Sequence, residues 1–598
     1  ISVLRHPKVI VIANDDACGE NESQAVVYRN LHIILKTNFT SLCGIIELKY
    51  EEYFMPWQLF LSANKAAGNK NKAIQLKVAA MFFAMLVLNW DPYTRGYSCF
   101  VVCKDSRAMG FLNNSTIELI HDEETDKNKW GGTKRNQLIT TLTAGLLSLT
   151  YGCGTGWLSP TLPLLQTPNN ITGIYSITED ESSWLSSLPF LGAIAASPIF
   201  SFICQYYGRK TAGYLSAVPA IVSWAIIAAA DSMVLLYAAR FLIGVTYGGI
   251  VVFKPMYIGE IAEDSIRGGL GSFLPLLCNL ATLFTYSLGP FVSIRTLAIT
   301  CLAVPMLFVF GFYWLPETPT YLISKGKVGE AAKAMLWLRG GNMKVAERDL
   351  QKVKDLLLKR DTTDTTRNHV KELFFSRGTI RAITVCLVIC IAQQFSGVYV
   401  VLSYCNDIMA MATTEISPEI AGIAVGVTQF LGSFMSIFFM DSLGRKTLLL
   451  GSQIVMAICL GCLGTYYYFQ NLGADMTSVA FLPVICVSVY LFSIGFGIAP
   501  VTYVLISELF HPDIRGIVTT IVTTNIWTLA FLVTKLYPLL LGLLEMHGCY
   551  WAFASVCVIC MIYTIFQIPE TKSRSLESIL QELNSGKRNK KSSYFVNV

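Results

Sequence analysis

QYYGRKTAGYL at residues 205–215 reappears as DSLGRKTLLLG at residues 441–451, and both times the shared Gly-Arg-Lys-Thr stands between two apolar runs. Two further pairs keep the same order. Glu260 precedes Arg267-Gly268 by seven residues, and Glu508 precedes Arg515-Gly516 by seven. Pro316-Glu317-Thr318 and Pro569-Glu570-Thr571 each close an apolar run. Partners lie 236, 248 and 253 residues apart. One such triplet carries no information; three in register mark an internal duplication.

Around these motifs the chain is apolar. Of its 598 residues 53% are hydrophobic and 14% charged, with mean hydropathy +0.50, against about 25% charged in soluble chains. A spanning helix needs about 20 mainly apolar residues. Such runs lie near 138–158, 184–204, 212–230, 235–256, 270–292 and 296–315, then near 380–403, 420–440, 447–468, 479–507, 517–541 and 549–568. None alternates with period two, which excludes a lipid-facing barrel. The expected fold is an all-α membrane protein with twelve transmembrane helices, spans 1 to 12, in two pseudo-symmetric six-helix halves. The expected division is 1–135 as an N-terminal extension, poorly ordered or a gene-model artefact, 136–322 as the first half, 323–379 as a linker containing helices, 380–570 as the second half and 571–598 as a tail. A net charge of +6 is too mild for nucleic acid. The cysteine pairs Cys459/Cys462 and Cys557/Cys560 sit inside apolar runs and read as packing residues, so no metal or other cofactor is expected.

Lys and Arg set the orientation. Arg209, Lys210, Arg267, Arg445, Lys446 and Arg515 fall in alternate loops, and the stretches 325–381 and 572–591 are densely basic. Both termini are therefore expected in the cytoplasm of a cell-membrane protein. Asn170-Ile171-Thr172 then lies outside, where Asn170 is a glycosylation acceptor. Lys254 and Lys535 lie near helix ends and are expected to snorkel to the interface.

The repeated charges share the cytoplasmic rim. Arg and Lys of each GRKT turn can pair with the Glu of a neighbouring helix and with the carboxylate of the PET turn. Arg209, Lys210, Glu260, Arg267, Glu317, Asp441, Arg445, Glu508, Arg515 and Glu570 are therefore candidates for a cytoplasmic gate that latches the halves. Two halves rocking about a central site is the architecture of alternating access.

GRKT at 208–211, Arg240 with Gly244, PMYIGEIAEDSIRG at 255–268, LPETPTYL at 315–322, QQFSG at 393–397, DSLGRKT at 441–447 and PETKSRSLESI at 569–579 together resemble the sugar porter family of the major facilitator superfamily. The resemblance covers about residues 136–580. Ser159-Pro160, Asn279 and Gln429 look most like insect facilitated trehalose transporters. The resemblance implies the major facilitator fold and direct sugar contact by Gln393 and Gln394. The chain departs from the family pattern at several points: Gln205 replaces the first-half Asp, Tyr399 an Asn, Tyr503 the span 10 tryptophan and Pro275 the hexose-binding Gln. Gly154 replaces the span 1 Asp of proton-coupled members.

A sugar needs amide or hydroxyl partners beside an aromatic plate, and no fixed charge. Polar residues deep in apolar runs are few: Asn279, Gln393, Gln394, Gln429 and Asn525, with Tyr399, Tyr503 and Trp527 as aromatics. For Asn279 and Asn525, ligand contact and interhelical hydrogen bonding stand equally open. The expected function is facilitative, uncoupled transport of a neutral sugar, trehalose or a hexose, with a sugar receptor that signals without flux as the alternative. No HExxH, nucleophile elbow or phosphate-binding Gly loop appears, so no enzyme is expected. The partners are the sugar and the bilayer; oligomeric state is open.

Overall fold

The computed structural model describes residues 11–12, 101–102, 134–166, 177–263, 265–361, 373–411, 417–510, 512–572, 574 and 576–585. The chain divides into two compact units, Ile1–Lys129 and Trp130–Val598. In the first, the described residues form two short parallel strands, β1 (Val11–Ile12) and β2 (Val101–Val102).

The second unit is helical. Span 1 is Arg135–Gly156, continued by Leu158–Gln166; spans 2 to 6 are Glu179–Tyr206, Arg209–Ala229, Met233–Ile261, Arg267–Leu288 and Ile294–Phe312. The linker holds helices Pro319–Ser324, Val328–Leu338 and Met343–Asp361. Span 7 is broken into Arg377–Gln394 and Val398–Ser403, and spans 8 and 9 are Pro418–Leu443 and Arg445–Asn471. Span 10 runs through Leu482–Ser493, a π-helical turn at Ile494–Ile498, and Ala499–Leu509. Spans 11 and 12 form one run, Pro512–Gln567, broken at Glu545, whose φ of +56° is not helical. The tail begins with helix Leu576–Ser585.

Ten of these segments are apolar and long enough to cross a membrane. Span 1 falls below that level of hydropathy because it is rich in Thr and Gly, and the run at Glu545 counts as one; with these resolved the described residues hold twelve spans. Local chemistry sets the boundaries. Thr178 caps span 2 in a reciprocal capping box with Glu181. At the turns between spans 2 and 3 and between spans 8 and 9, Gly208 and Gly444 have φ of +100° and +86°. A Cβ there would also meet a carboxylate oxygen, of Glu317 at 2.5 Å or Glu570 at 2.8 Å, so the glycine of each GRKT turn is required. Between the halves, span 2 packs on span 11 and span 5 on span 8.

Candidate sugar site and gates

Span 7 positions most of the candidate ligands. Gly397, with φ of +83°, turns the chain between its two helices, and a Cβ there would meet the Phe553 ring at 2.7 Å. The break leaves Gln393 and Gln394 at the end of one helix and Tyr399 at the start of the next. Gln393 Oε1 accepts a hydrogen bond from Thr502 Oγ1 of span 10 at 3.4 Å. Both amide atoms of Gln394 are buried and find no protein partner, which costs about 1–3 kcal/mol per unsatisfied group.

Tyr399 meets the other half. Its hydroxyl lies 2.9 Å from that of Tyr151 in span 1, and its ring centroid 4.6 Å from that of Phe190 in span 2. Trp527 joins the same cluster. Its ring stacks on Phe190 at 6.1 Å and lies 6.2 Å from Tyr151 and 6.4 Å from Tyr247 of span 4. At 1% exposure Trp527 is no interface anchor, and its Nε1 has no protein partner. Tyr503 is the open member: it neighbours Tyr399 and Cys278 and is 44% exposed.

The other amides share no hydrogen bond with this cluster among the described residues. Asn279 Nδ2 donates to Ser433 Oγ of span 8, an interhelical bond between the halves. Gln429 and Asn525 each keep an unpartnered buried oxygen, and no hydrogen bond joins either to the aromatic cluster among the described residues. Tyr151, Phe190 and Tyr247 were not on the sequence's list of candidates. Their signal was indirect: Tyr151 precedes Gly152-Cys153-Gly154-Thr155-Gly156, and those glycines admit close neighbours. A Cβ at Gly152 would lie 2.0 Å from Cys278 O, and one at Gly154 would lie 2.4 Å from the Tyr247 hydroxyl.

The model of the family described as "Sugar (and other) transporter" matches residues 140–583. The chain belongs to the sugar transporter family. This transporter is 32% identical to the facilitated trehalose transporter Tret1 of Bombyx mori, over 76% of this chain and 88% of the relative. It is 33% identical to a facilitated trehalose transporter Tret1-2 homolog of Drosophila sechellia, over 76% and 92%. The solved proton:xylose symporter XylE bound to 6-bromo-6-deoxy-D-glucose superposes with TM-score 0.61 at 23% identity, covering 74% of this chain and 98% of that one. A partially occluded inward-open form of XylE from E. coli gives 0.59 at 24%, over 74% and 100%. The major facilitator fold follows, and with it a multi-pass membrane transporter rather than an enzyme.

The charged motifs of this transporter form two matching clusters. In the first half, Arg209 Nε donates to Glu260 Oε1 at 3.1 Å, and Glu317 Oε2 accepts from the Lys210 backbone N–H at 2.8 Å. Lys210 Nζ reaches the carbonyls of Tyr313 and Leu315. Glu317 lies in a turn outside the spans; burial holds its carboxyl above the usual range, against the lowering effect of the backbone N–H groups of Thr318 and Lys210. In the second half, Arg445 Nε donates to Glu508 Oε1 at 3.1 Å, and Glu570 accepts from the backbone N–H groups of Arg445 and Lys446 at 3.0 and 3.1 Å. Glu508 also accepts from Thr571 Oγ1. Arg267 and Arg515 donate to the carbonyls of Ala262 and Phe510. Each of these bonds lies within one half. The Asp441 side chain and Asn170 lie outside the described residues.

Other bonds cross between the halves at the opposite ends of the spans. Tyr404 OH lies 3.4 and 3.3 Å from the hydroxyls of Ser182 and Ser186, and Ser159 Oγ accepts from the Asn406 N–H at 3.3 Å. Tyr286 OH donates to Leu402 O at 2.6 Å. Lys535 belongs to this set: its Nζ meets Asp180 Oδ1 at 2.7 Å and lies over the Trp184 ring. Its charged end thus reaches an exposed carboxylate at the end of span 2, as suits a lysine near a helix end. Lys254, in contrast, does not snorkel as expected. It is 8% exposed and its Nζ donates to Ser148 Oγ of span 1 at 2.7 Å.

Proposed function

We propose that this transporter carries a neutral sugar, trehalose or a hexose, down its gradient by alternating access, in a cell membrane with both termini cytoplasmic. The observation that carries the reading is the meeting of Tyr399 and Trp527 of the second half with Tyr151, Phe190 and Tyr247 of the first, beside the break in span 7 that ends at Gln393 and Gln394. Aromatic faces suit the apolar side of a sugar ring, and amides and phenols suit its hydroxyls. Gln393, Gln394, Tyr399, Tyr503 and Trp527 are the main contacts in this reading, with Asn279, Gln429 and Asn525 at its edge. The relatives' names as trehalose transporters support a disaccharide.

Absence of proton coupling rests on span 1. Arg240 donates to the carbonyls of Gly154 and Leu185, each at 2.8 Å. It thus pins spans 1, 2 and 4 through neutral acceptors. Tyr247 fills the space a side chain at Gly154 would need. The charge clusters at the GRKT ends stiffen each half as a rocking body, and the bonds at the opposite ends hold the outer side shut. The test is uptake of labelled trehalose and glucose by the purified chain in liposomes. Saturable entry of either supports the carrier, whereas binding without entry favours a receptor.

A further inference from the structure

Among the described residues of the spans two charged side chains are less than one-tenth exposed, Arg240 at 3% and Lys254 at 8%, and no carboxylate is. Both are cations. The guanidinium of Arg240 is held by two carbonyls and the Trp157 ring at 5.6 Å. Among the described residues the ammonium of Lys254, with three donors, has one protein acceptor, Ser148 Oγ, and no carboxylate within ion-pair distance. A desolvated ammonium in that state costs several kcal/mol unless a counter-charge joins it.

Span 4 and the internal repeat locate it. Arg240, Tyr247 and Lys254 are spaced by seven, which keeps them on one face of span 4. Tyr247 on that face meets Trp527 across the halves, and Lys254 follows two turns, about 10 Å, nearer the GRKT end. The offset of 248 that relates Glu260 to Glu508 carries Lys254 onto Thr502. Thr502 bonds Gln393 between spans 10 and 7 as Lys254 bonds Ser148 between spans 4 and 1. Pro255, the next residue, is exposed as its counterpart Tyr503 is. Cys278, an electrostatic neighbour of Lys254, neighbours Tyr399 and Tyr503 as well. Lys254 thus corresponds in the first half to Thr502, which bonds the proposed ligand Gln393 and precedes the proposed ligand Tyr503.

We propose that Lys254 is an anion subsite of the sugar cavity, and that the cargo range includes sugars bearing a carboxylate, such as uronic acids. The spare ammonium donors take the carboxylate while the amides and aromatics of the second half take the ring. This rests on the neutral-sugar reading for the location of the cavity, and goes beyond it in the charge of the cargo.

The test is initial uptake of labelled D-glucuronate and D-glucose by the full chain in liposomes with the membrane potential clamped at zero, for the parent, Lys254→Met and Lys254→Arg. In the parent, glucuronate should enter saturably and compete with glucose. Lys254→Met should lower the glucuronate-to-glucose uptake ratio at least tenfold, and Lys254→Arg should hold it within about threefold of the parent. Competition in the parent tests the subsite even where a variant fails to fold. Glucuronate that neither enters nor competes, or a ratio unmoved by Lys254→Met, overturns the subsite while glucose entry keeps the neutral-sugar reading. Chloride-dependent glucose uptake without glucuronate entry also overturns it, placing a free anion at Lys254. Glucuronate entry without glucose or trehalose entry supports the subsite and removes the neutral-sugar reading.

Discussion

Lys535 Nζ lies 2.7 Å from Asp180 Oδ1, tying span 11 of the second half to the first turn of span 2 in the first. Ser183 Oγ accepts a second bond at 2.8 Å, and the Trp184 ring centroid lies 4.1 Å from the ammonium. These two residues are 355 positions apart in the chain. Their bond belongs to the set that holds the two halves together at the ends remote from the GRKT turns.

Lys535→Met should therefore loosen that closure. The Asp180 side chain is 76% exposed, so the ion pair contributes about 0.2–1 kcal/mol, and the ring contact about 0.5–1 kcal/mol more. External labelling of a cysteine placed at Ser182, with exposed Cys462 removed, should rise about two- to tenfold. Labelling at the parent level would show that the pair does not bias the carrier's facing.

The two GRKT turns should fail alike when their glycine is replaced. Gly208→Ala and Gly444→Ala each force a side chain into a backbone conformation with positive φ and against a half-buried carboxylate, a strain of about 1–3 kcal/mol. Thermal unfolding in detergent should show Tm lowered by several degrees in both variants. A parent-like Tm in either would mean that its turn relaxes without cost.

Glu508→Gln removes the charge that Arg445 and Thr571 share. A charge-assisted hydrogen bond is worth about 1.5–3 kcal/mol, and the Arg445 side chain is 13% exposed. Tm should fall, and accessibility of an engineered cysteine should shift towards one facing. Stability and accessibility both at parent levels would reduce the cluster to a topological anchor.

At the sugar site, Gln393→Ala should lower trehalose and glucose uptake about five- to a hundredfold with normal surface expression, the loss of one ligand hydrogen bond at about 1–3 kcal/mol. Unchanged uptake would remove Gln393 from the site.

The spans, the duplication and the pairing of each GRKT turn with its neighbouring Glu were legible because apolar runs and charge spacing are local signals. The aromatic cluster was legible on one side. Tyr399 and Trp527 stand out in motifs or at mid-span, whereas Phe190 and Tyr247 look like ordinary packing residues until span 2 and span 4 are brought against span 11. Lys254 was misread for a related reason: distance from a helix end says how far a side chain is from the interface, but not that Ser148 of another span is nearer. Nor does charge spacing reveal which end of the bundle the halves close, because Lys535 and Asp180 meet only through tertiary packing.

Uncoupled transport is the central claim, and an imposed proton gradient tests it most directly. Coupling needs a group in the cavity that exchanges protons with both sides, and in this account the Lys254 ammonium keeps its proton in both facings. Span 1 offers Gly154 where proton-coupled members carry a carboxylate, and Tyr247 occupies the space beside it. Liposomes holding the purified chain are given an inward proton gradient and labelled trehalose or glucose, with and without an ionophore that collapses the gradient. The account predicts that internal sugar rises to the external concentration and stops there, equally in both conditions. Accumulation above the external concentration that the ionophore abolishes would contradict it.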